Sequence, residues 1–362
     1  MIGKILISVL FSTDCVAQEI SVKDGVRVVG NHAPAWEDEP QIELEFVRKY
    51  GGRNETRSSH TLYYPFDVVR DIYGNLLIVE SGNHRLKKFS PEGVYIKTIG
   101  SGGFGDGEFH APIAIDVDRE GNIYVASNNN NRIQVLDRMG NYIRQIKGEY
   151  NNSFFRVLSN GNYVMRNRTE WSYSGDIRMQ ERIKLVREFD SKGKLKKSFG
   201  TPFAYKVDTI TVSDRSYELA VDDQDNVYLA YKYRNLIEKY DSKRKLVLQI
   251  SRPLKYTVSL MPDSPEGIGS VKPNRVSEGI DVGPEGNIWV AAYAKQPVNI
   301  GGFYPDQPVD QFEMHVFNNE GILLFVLPLN HFVDHIRLIS DSLFIIDTHR
   351  NMAVYEYRIV DR

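Results

Sequence analysis

The stretch Pro65-Phe-Asp-Val-Val-Arg-Asp-Ile-Tyr-Gly-Asn75-Leu-Leu-Ile-Val-Glu-Ser-Gly-Asn-His-Arg85 decides the fold, because it recurs 47 residues later, without a gap, over 112–132. In that shift Pro65 falls on Pro112, Asp71 on Asp118, Gly74-Asn75 on Gly121-Asn122, Asn83 on Asn130 and Arg85 on Arg132. Further on, Gly93 and Tyr95 fall on Gly140 and Tyr142. Turn residues shared in register mark an internal repeat. Each copy reads as an apolar run after the proline, then a tight Gly-Asn hairpin turn whose two residues tolerate positive φ. A second apolar run (123–126), a polar loop, a third strand (132–137) and a fourth (142–146) follow. Four strands in about 40 residues make one blade of a β-propeller.

Weaker turn markers lie at Gly161-Asn162, Asp225-Asn226, Gly286-Asn287 and Asp341-Ser342, and with Asn75 and Asn122 they define six units. The successive spacings are 47, 40, 64, 61 and 55 residues, so the later units carry insertions. The sixth unit runs out after 353–359 and lacks a fourth strand, whereas 42–52 resembles the fourth strand of the first full unit, 94–103. The expected fold is all-β: a six-bladed β-propeller of four-stranded antiparallel blades, its ring closed by an N-terminal strand in the last blade. Such closure removes two exposed sheet edges. The expected organisation is a signal peptide over 1–17, a leader over 18–41 and the propeller over 42–362.

The remaining composition narrows the class. Among 362 residues, 45 Lys and Arg face 47 Asp and Glu, a net charge of −2, which opposes a globally basic nucleic-acid binder. A hydrophobic share of 41% and a charged share of 25% are those of an ordinary globular protein. The single cysteine, Cys15, excludes a disulfide framework within the chain and any cysteine-rich zinc module. No apolar run reaches the length of a membrane span. Residues 1–17 place Lys4 before an apolar stretch (5–11) and end in Cys15-Val16-Ala17, the layout of a short secretory signal cut before Gln18. A lipidated Cys15 is the alternative, with Asp14 a poor neighbour for it. The expected location is therefore periplasmic or extracellular, and the expected state a monomer.

The segment Asp118-Arg-Glu-Gly-Asn-Ile-Tyr-Val-Ala-Ser-Asn-Asn-Asn-Asn-Arg-Ile-Gln-Val-Leu-Asp137 resembles an NHL repeat, the motif of six-bladed propellers of that name. Glu80-Ser-Gly-Asn-His-Arg85 also fits the motif, 219–241 fits it partly, and Ser127 and Asn128 depart from its usual acidic start. The whole chain is most similar to uncharacterised exported bacterial six-bladed propeller proteins. Membership implies fold more than function, since the family includes interaction domains, sensors and some lyases or lactonases.

The repeated Asn83, Arg85, Asn130 and Arg132 read as braces of equivalent loops rather than as a phosphate-binding ring. Gly100-Ser-Gly102-Gly-Phe-Gly105 is formally G-x-G-x-x-G, but no helix opens after it, so it reads as an inter-blade linker. The eight histidines show no zinc-ligand spacing. The departures from the repeat say more. Counting strands outwards, the loops between second and third strands and the inter-blade linkers open on one face. That face carries insertions at 166–182 (Trp171, Tyr173, Arg178), 201–217 (Tyr205), 251–277 (Lys255, Tyr256) and 295–311 (Phe303, Tyr304). Loops raised on a rigid scaffold concentrate binding residues, so these eight are the candidate contacts for a protein, peptide or glycan.

Asp67, Glu218, Asp334 and, one residue earlier in its strand, Glu278 start first strands and are expected at the channel mouth. Carboxylates held together raise one another's pKa, and Ca²⁺ or Mg²⁺ would relieve them. The alternative is that they hydrate strand starts or accept from neighbouring backbone amides. The leading expectation is a non-enzymatic exported binding propeller without a cofactor. A metal-dependent, lactonase-like hydrolase or lyase at the channel mouth is the second.

Overall fold

A computed structural model describes residues 17–36, 41–148, 154–167, 171–173, 184–207, 210–214, 216–258, 260–262, 271–273, 275–297 and 311–362; for 171–173, 204–207, 210–214, 260–262 and 271–273 it describes the backbone course alone. The expected signal segment lies outside the described residues, apart from Ala17. Among the described residues the regular elements are β-strands apart from one short 3₁₀ turn, and they are arranged as the six four-stranded antiparallel blades that the repeat predicts. It divides into two compact units.

One unit comprises residues 45–215 and 334–358 and holds blades one, two, three and six. Blade one runs Pro65–Arg70, Leu76–Glu80, Arg85–Phe89, Tyr95–Ile99 in spatial order, and blade two runs Pro112–Val117, Ile123–Ser127, Arg132–Leu136, Tyr142–Lys147. Second strands are buried on both faces, as Leu76, Leu77, Ile78 and Val79 show, so they read as unbroken apolar runs rather than alternating ones. Apolar clusters fill the spaces between successive blades: Leu77, Val79 and Leu86 meet Ile115, Ile123 and Val125, and Ala126 and Ile133 meet Phe155 and Tyr163. Each fully buried Leu, Ile or Val contributes roughly 1.5–3 kcal/mol.

The last blade is completed from the N-terminal side, in the order Ile42–Gly51, Ala353–Asp361, Ser342–Asp347, His335–Ile339. Tyr50 locks this strand: its ring is buried among Phe89, Phe344 and Val354, and its hydroxyl donates to Glu356 at 3.0 Å. Gly51 follows at φ +71, where a Cβ would stand 2.7 Å from the Met352 carbonyl, so no larger residue fits.

The hairpin turns depart in one respect from their sequence reading. The glycines take positive φ (Gly74 +79, Gly121 +86, Gly286 +79), but Asn75 and Asn122 do not. The asparagine works through its amide. Asp71 Oδ1 accepts from the Tyr73 and Asn75 N–H groups, and Asn75 Nδ2 donates back to the same carboxylate; Asp118 and Asn122 repeat the arrangement. It is an Asx turn closed by a side-chain pair. In Asp225-Asn226 the aspartate itself takes the glycine's place at φ +62.

The other unit comprises residues up to 44, 216–333 and 359–362 and holds blades four and five. Residues expected as a leader form a hairpin here, Gln18–Lys23 with Val26–Asn31, whose second strand pairs parallel with Leu246–Ser251, the outer strand of blade four. The six-stranded sheet that results has that outer edge covered. Val29 enters the apolar cluster between blades four and five beside Ile250, Val290 and Phe317. Asn31 fastens the hairpin, donating to the Ser251 and Gly321 carbonyls (3.0 Å each) and accepting from Leu323 N–H at 2.8 Å. Trp36 stacks on Phe325 with centroids 5.2 Å apart.

Candidate functional site

The repeated loop residues brace the blades. Glu80, fully buried, accepts from Asn83 Nδ2 at 2.6 Å, from Tyr63 N–H at 3.1 Å and from Arg85. Arg132 donates to the carbonyls of Phe104, Gly105 and Glu108, and Asn130 to that of Gly103, so both hold the glycine-rich linker of 100–107.

At the insertion-bearing end of blade three the chain builds a platform. Trp171–Tyr173, from the loop between second and third strands, pairs antiparallel with Ile210–Asp214 of the following linker, and Phe203–Val207 pairs with the other side of that strand. The register matters. Tyr173 and Tyr205 both stand opposite Val212, and Trp171 and Phe203 both stand opposite Asp214. Residues in one register row, and rows two apart, share a face of a pleated sheet. Trp171, Tyr173, Phe203 and Tyr205 thus belong to one face of a three-stranded sheet. Sequence spacing grouped three of these four but could not supply the register. Arg178, Phe303 and Tyr304 lie outside the described residues.

In the other unit the linker after blade four carries a short hairpin, Leu260–Pro262 with Val271–Pro273. Lys255, largely exposed, reaches Glu313 Oε2 at 2.8 Å. Tyr256 is half-buried; burial first, then the Glu313 and Glu278 charges against the opposing Arg252, pushes its phenol up to about 12. Its hydroxyl donates to the Arg275 carbonyl at 3.1 Å, so it holds the linker in place.

The four carboxylates are each answered by the protein. Asp67 is buried in the first strand of blade one. It accepts from Ile115 N–H of the neighbouring blade and from Arg156 Nη1, both at 3.2 Å, and from Val68 N–H at 3.0 Å. Asp334, in the same unit, accepts from Thr348 N–H at 2.8 Å and pairs with His349 Nδ1 at 2.9 Å. Burial pushes its carboxyl up, but the two neighbouring histidines, His349 and His335, outweigh that and hold it below the usual range.

In the other unit Lys232 bridges Glu218 (2.8 Å) and Glu278 (3.2 Å). It is placed to do so by its backbone, which donates to the Ser216 carbonyl and accepts from Val276 N–H, tying the starts of both first strands. Glu278 also accepts from Tyr293 Oη at 2.7 Å and from Arg275. Burial raises its pKa, yet Arg275, Lys232 and the Tyr293 hydroxyl bring the net shift below normal. In both Asp334 and Glu278 the basic and hydrogen-bonding partners outweigh burial, so each carboxyl is held below the usual range. Among the described residues no group of three or more His, Cys, Asp or Glu is arranged to hold a metal ion.

Arg156, Lys232 and His349 escaped sequence reading because they reach the acids from other strands and loops, whereas Arg275 stands only three residues before Glu278 in the chain. One further set was legible in principle. Gln311, Glu313 and His315 put polar residues at every second position along Phe312–Phe317 and its start, a strand buried throughout.

Six blades with these turn closures define a β-propeller. The chain belongs to the DUF5128 family, a 6-bladed beta-propeller family whose model matches residues 55–252. Among solved structures it is similar to a member of the DUF4221 family from Bacteroides vulgatus, with a TM-score of 0.59 at 12% identity, covering 89% of this chain and 99% of that one. It is also similar to a candidate exported protein of Bacteroides fragilis, with a TM-score of 0.58 at 12% identity over 92% of this chain and 99% of that one. At such identity the likeness shows the fold alone. The curated protein lin-41 of Caenorhabditis elegans is 48% identical over 48 residues, which is 13% of this chain and 4% of that protein's length. Among the described residues no helix is long and apolar enough to cross a membrane.

Proposed function

We propose that this chain is an exported, non-enzymatic binding propeller of the NHL-repeat type that holds a protein, peptide or glycan on its insertion-bearing end. The observation that carries the reading is the register of the blade-three platform, which gathers Trp171, Tyr173, Phe203 and Tyr205 on one face. Aromatic residues gather large contact area at small entropic cost and anchor interfaces. The 47-residue repeat supports the NHL assignment, and the layout of residues 1–17 supports export.

The test uses the full-length chain against an immobilised peptide library and an array of immobilised oligosaccharides. Capture by the wild type should be lost in Trp171→Ala/Tyr205→Ala and kept in Tyr73→Ala, which alters an exposed turn between first and second strands, at the opposite end of a blade. Failure to capture any peptide or sugar, or equal capture by the platform variant, would overturn the reading.

A further inference from the structure

Arg252 follows the outer strand of blade four and is gripped through its backbone by Asn235, whose Nδ2 donates to the Arg252 carbonyl at 2.7 Å and whose Oδ1 accepts from its N–H at 3.2 Å. The residue is 3% exposed. Its Nη2 donates to Ser277 Oγ and, at 3.3 Å, to the Val276 carbonyl. Nε and Nη1 are buried and have no hydrogen-bond partner. Glu313 and His315 of blade five lie within electrostatic reach of it. Glu313, however, is already engaged by His315 Nε2 and by Lys255 Nζ, each at 2.8 Å. On the same strand and at its start, His315 Nδ1 and Gln311 Oε1 are likewise buried without partners.

Buried charges are ordinarily paired, because an uncompensated one costs several kcal/mol. Burial does pull Arg252 down, to about 10, with Tyr256 and Glu313 opposing, and it remains a cation at neutral pH. We propose that Arg252 anchors a carboxylate-binding subsite at the boundary of blades four and five, with His315 and Gln311 as polar lining and Lys255 as its exposed end. A guanidinium whose Nε and Nη1 lack hydrogen-bond partners suits a monoanion. A phosphate dianion would bring a second negative charge towards Glu313 and Glu278. The subsite specifies ligand chemistry beside the 251–277 insertion, and it rests on the binding reading above for its role, though not for its test.

The experiment titrates the full-length chain with sodium acetate by calorimetry and follows the Arg252 Nε–H resonance, with sodium chloride at matched ionic strength as control. N-acetylalanine and glucuronate arms distinguish a peptide C-terminus from an acidic sugar. Acetate should bind saturably with a Kd on the order of millimolar and move that resonance, while Arg252→Met should weaken binding at least about tenfold. The resonance reads the wild type, so the result stands even where the variant folds poorly. No saturable acetate response by about 100 mM, an equal response to chloride, or full binding by a folded Arg252→Met chain would overturn the subsite. Acetate can fail while capture of a peptide or oligosaccharide stands, and the reverse, so the two readings fall separately.

Discussion

Replacing Lys232 by methionine should expose how the carboxylates of blades four and five are held. The ammonium stands 2.8 Å from Glu218 and 3.2 Å from Glu278, with all three side chains at most 15% exposed. At an effective dielectric constant of about 20 these contacts are worth roughly 6 and 5 kcal/mol before desolvation, and removing one partner of such a buried group costs about 3–5 kcal/mol net. The variant leaves two neighbouring carboxylates, of which Glu278 keeps Arg275 and Tyr293.

The pH dependence carries a sign. In the wild type the Glu278 pKa is depressed, so its contribution is present above the unfolded carboxylate pKa and is lost as pH falls through the folded value. Without the cation the pair should move upward, and its protonated form should favour folding at low pH. Thermal and urea unfolding at pH 7 and near pH 4 should therefore show the full loss at pH 7 and roughly a third of it or less near pH 4. Adding Glu218→Gln to the variant should recover most of the pH 7 loss. A loss under about 1 kcal/mol, or one independent of pH, would refute the charge-pairing account.

Asn31→Ala removes three hydrogen bonds that fasten the N-terminal hairpin and should cost about 2–4 kcal/mol by chemical denaturation, with faster amide exchange along Val26–Asn31. Tyr50→Phe should cost about 1–3 kcal/mol in the same assay, since Glu356 loses a buried donor while its Arg48 and Arg70 pairs remain. Metal-stripped protein should give no binding heat at about millimolar Ca²⁺, because Asp67, Glu218, Glu278 and Asp334 already have donors; saturable heat lost in Asp67→Ala/Glu218→Ala would reinstate them as ligands.

The blades were legible because their turns leave chemical marks. An aspartate, a glycine at positive φ and an asparagine whose amide returns to that aspartate recur at fixed offsets, and the strand missing from the end of the chain is recognisable near its start. The hairpin at Gln18–Lys23 was not legible, since parallel pairing with a strand more than two hundred residues away leaves no local pattern. The candidate site divides in the same way. Insertions and their aromatic residues stand out against the repeat. The register that aligns Tyr173 with Tyr205 exists only after two separate insertions pair. The acids could be placed on first strands by alignment, but Arg156, Lys232 and His349 reach them from other strands and loops, so their pairing belongs to the folded state alone.

The most direct measurement is a hydrogen–deuterium exchange footprint of the full chain, with and without the peptide or oligosaccharide that the wild type captures. Binding on the blade-three platform predicts protection within 171–173, 203–207 and 210–214, with the turns at 71–75 and 118–122 unchanged. Protection centred on those turns, with the insertions unaffected, would contradict it.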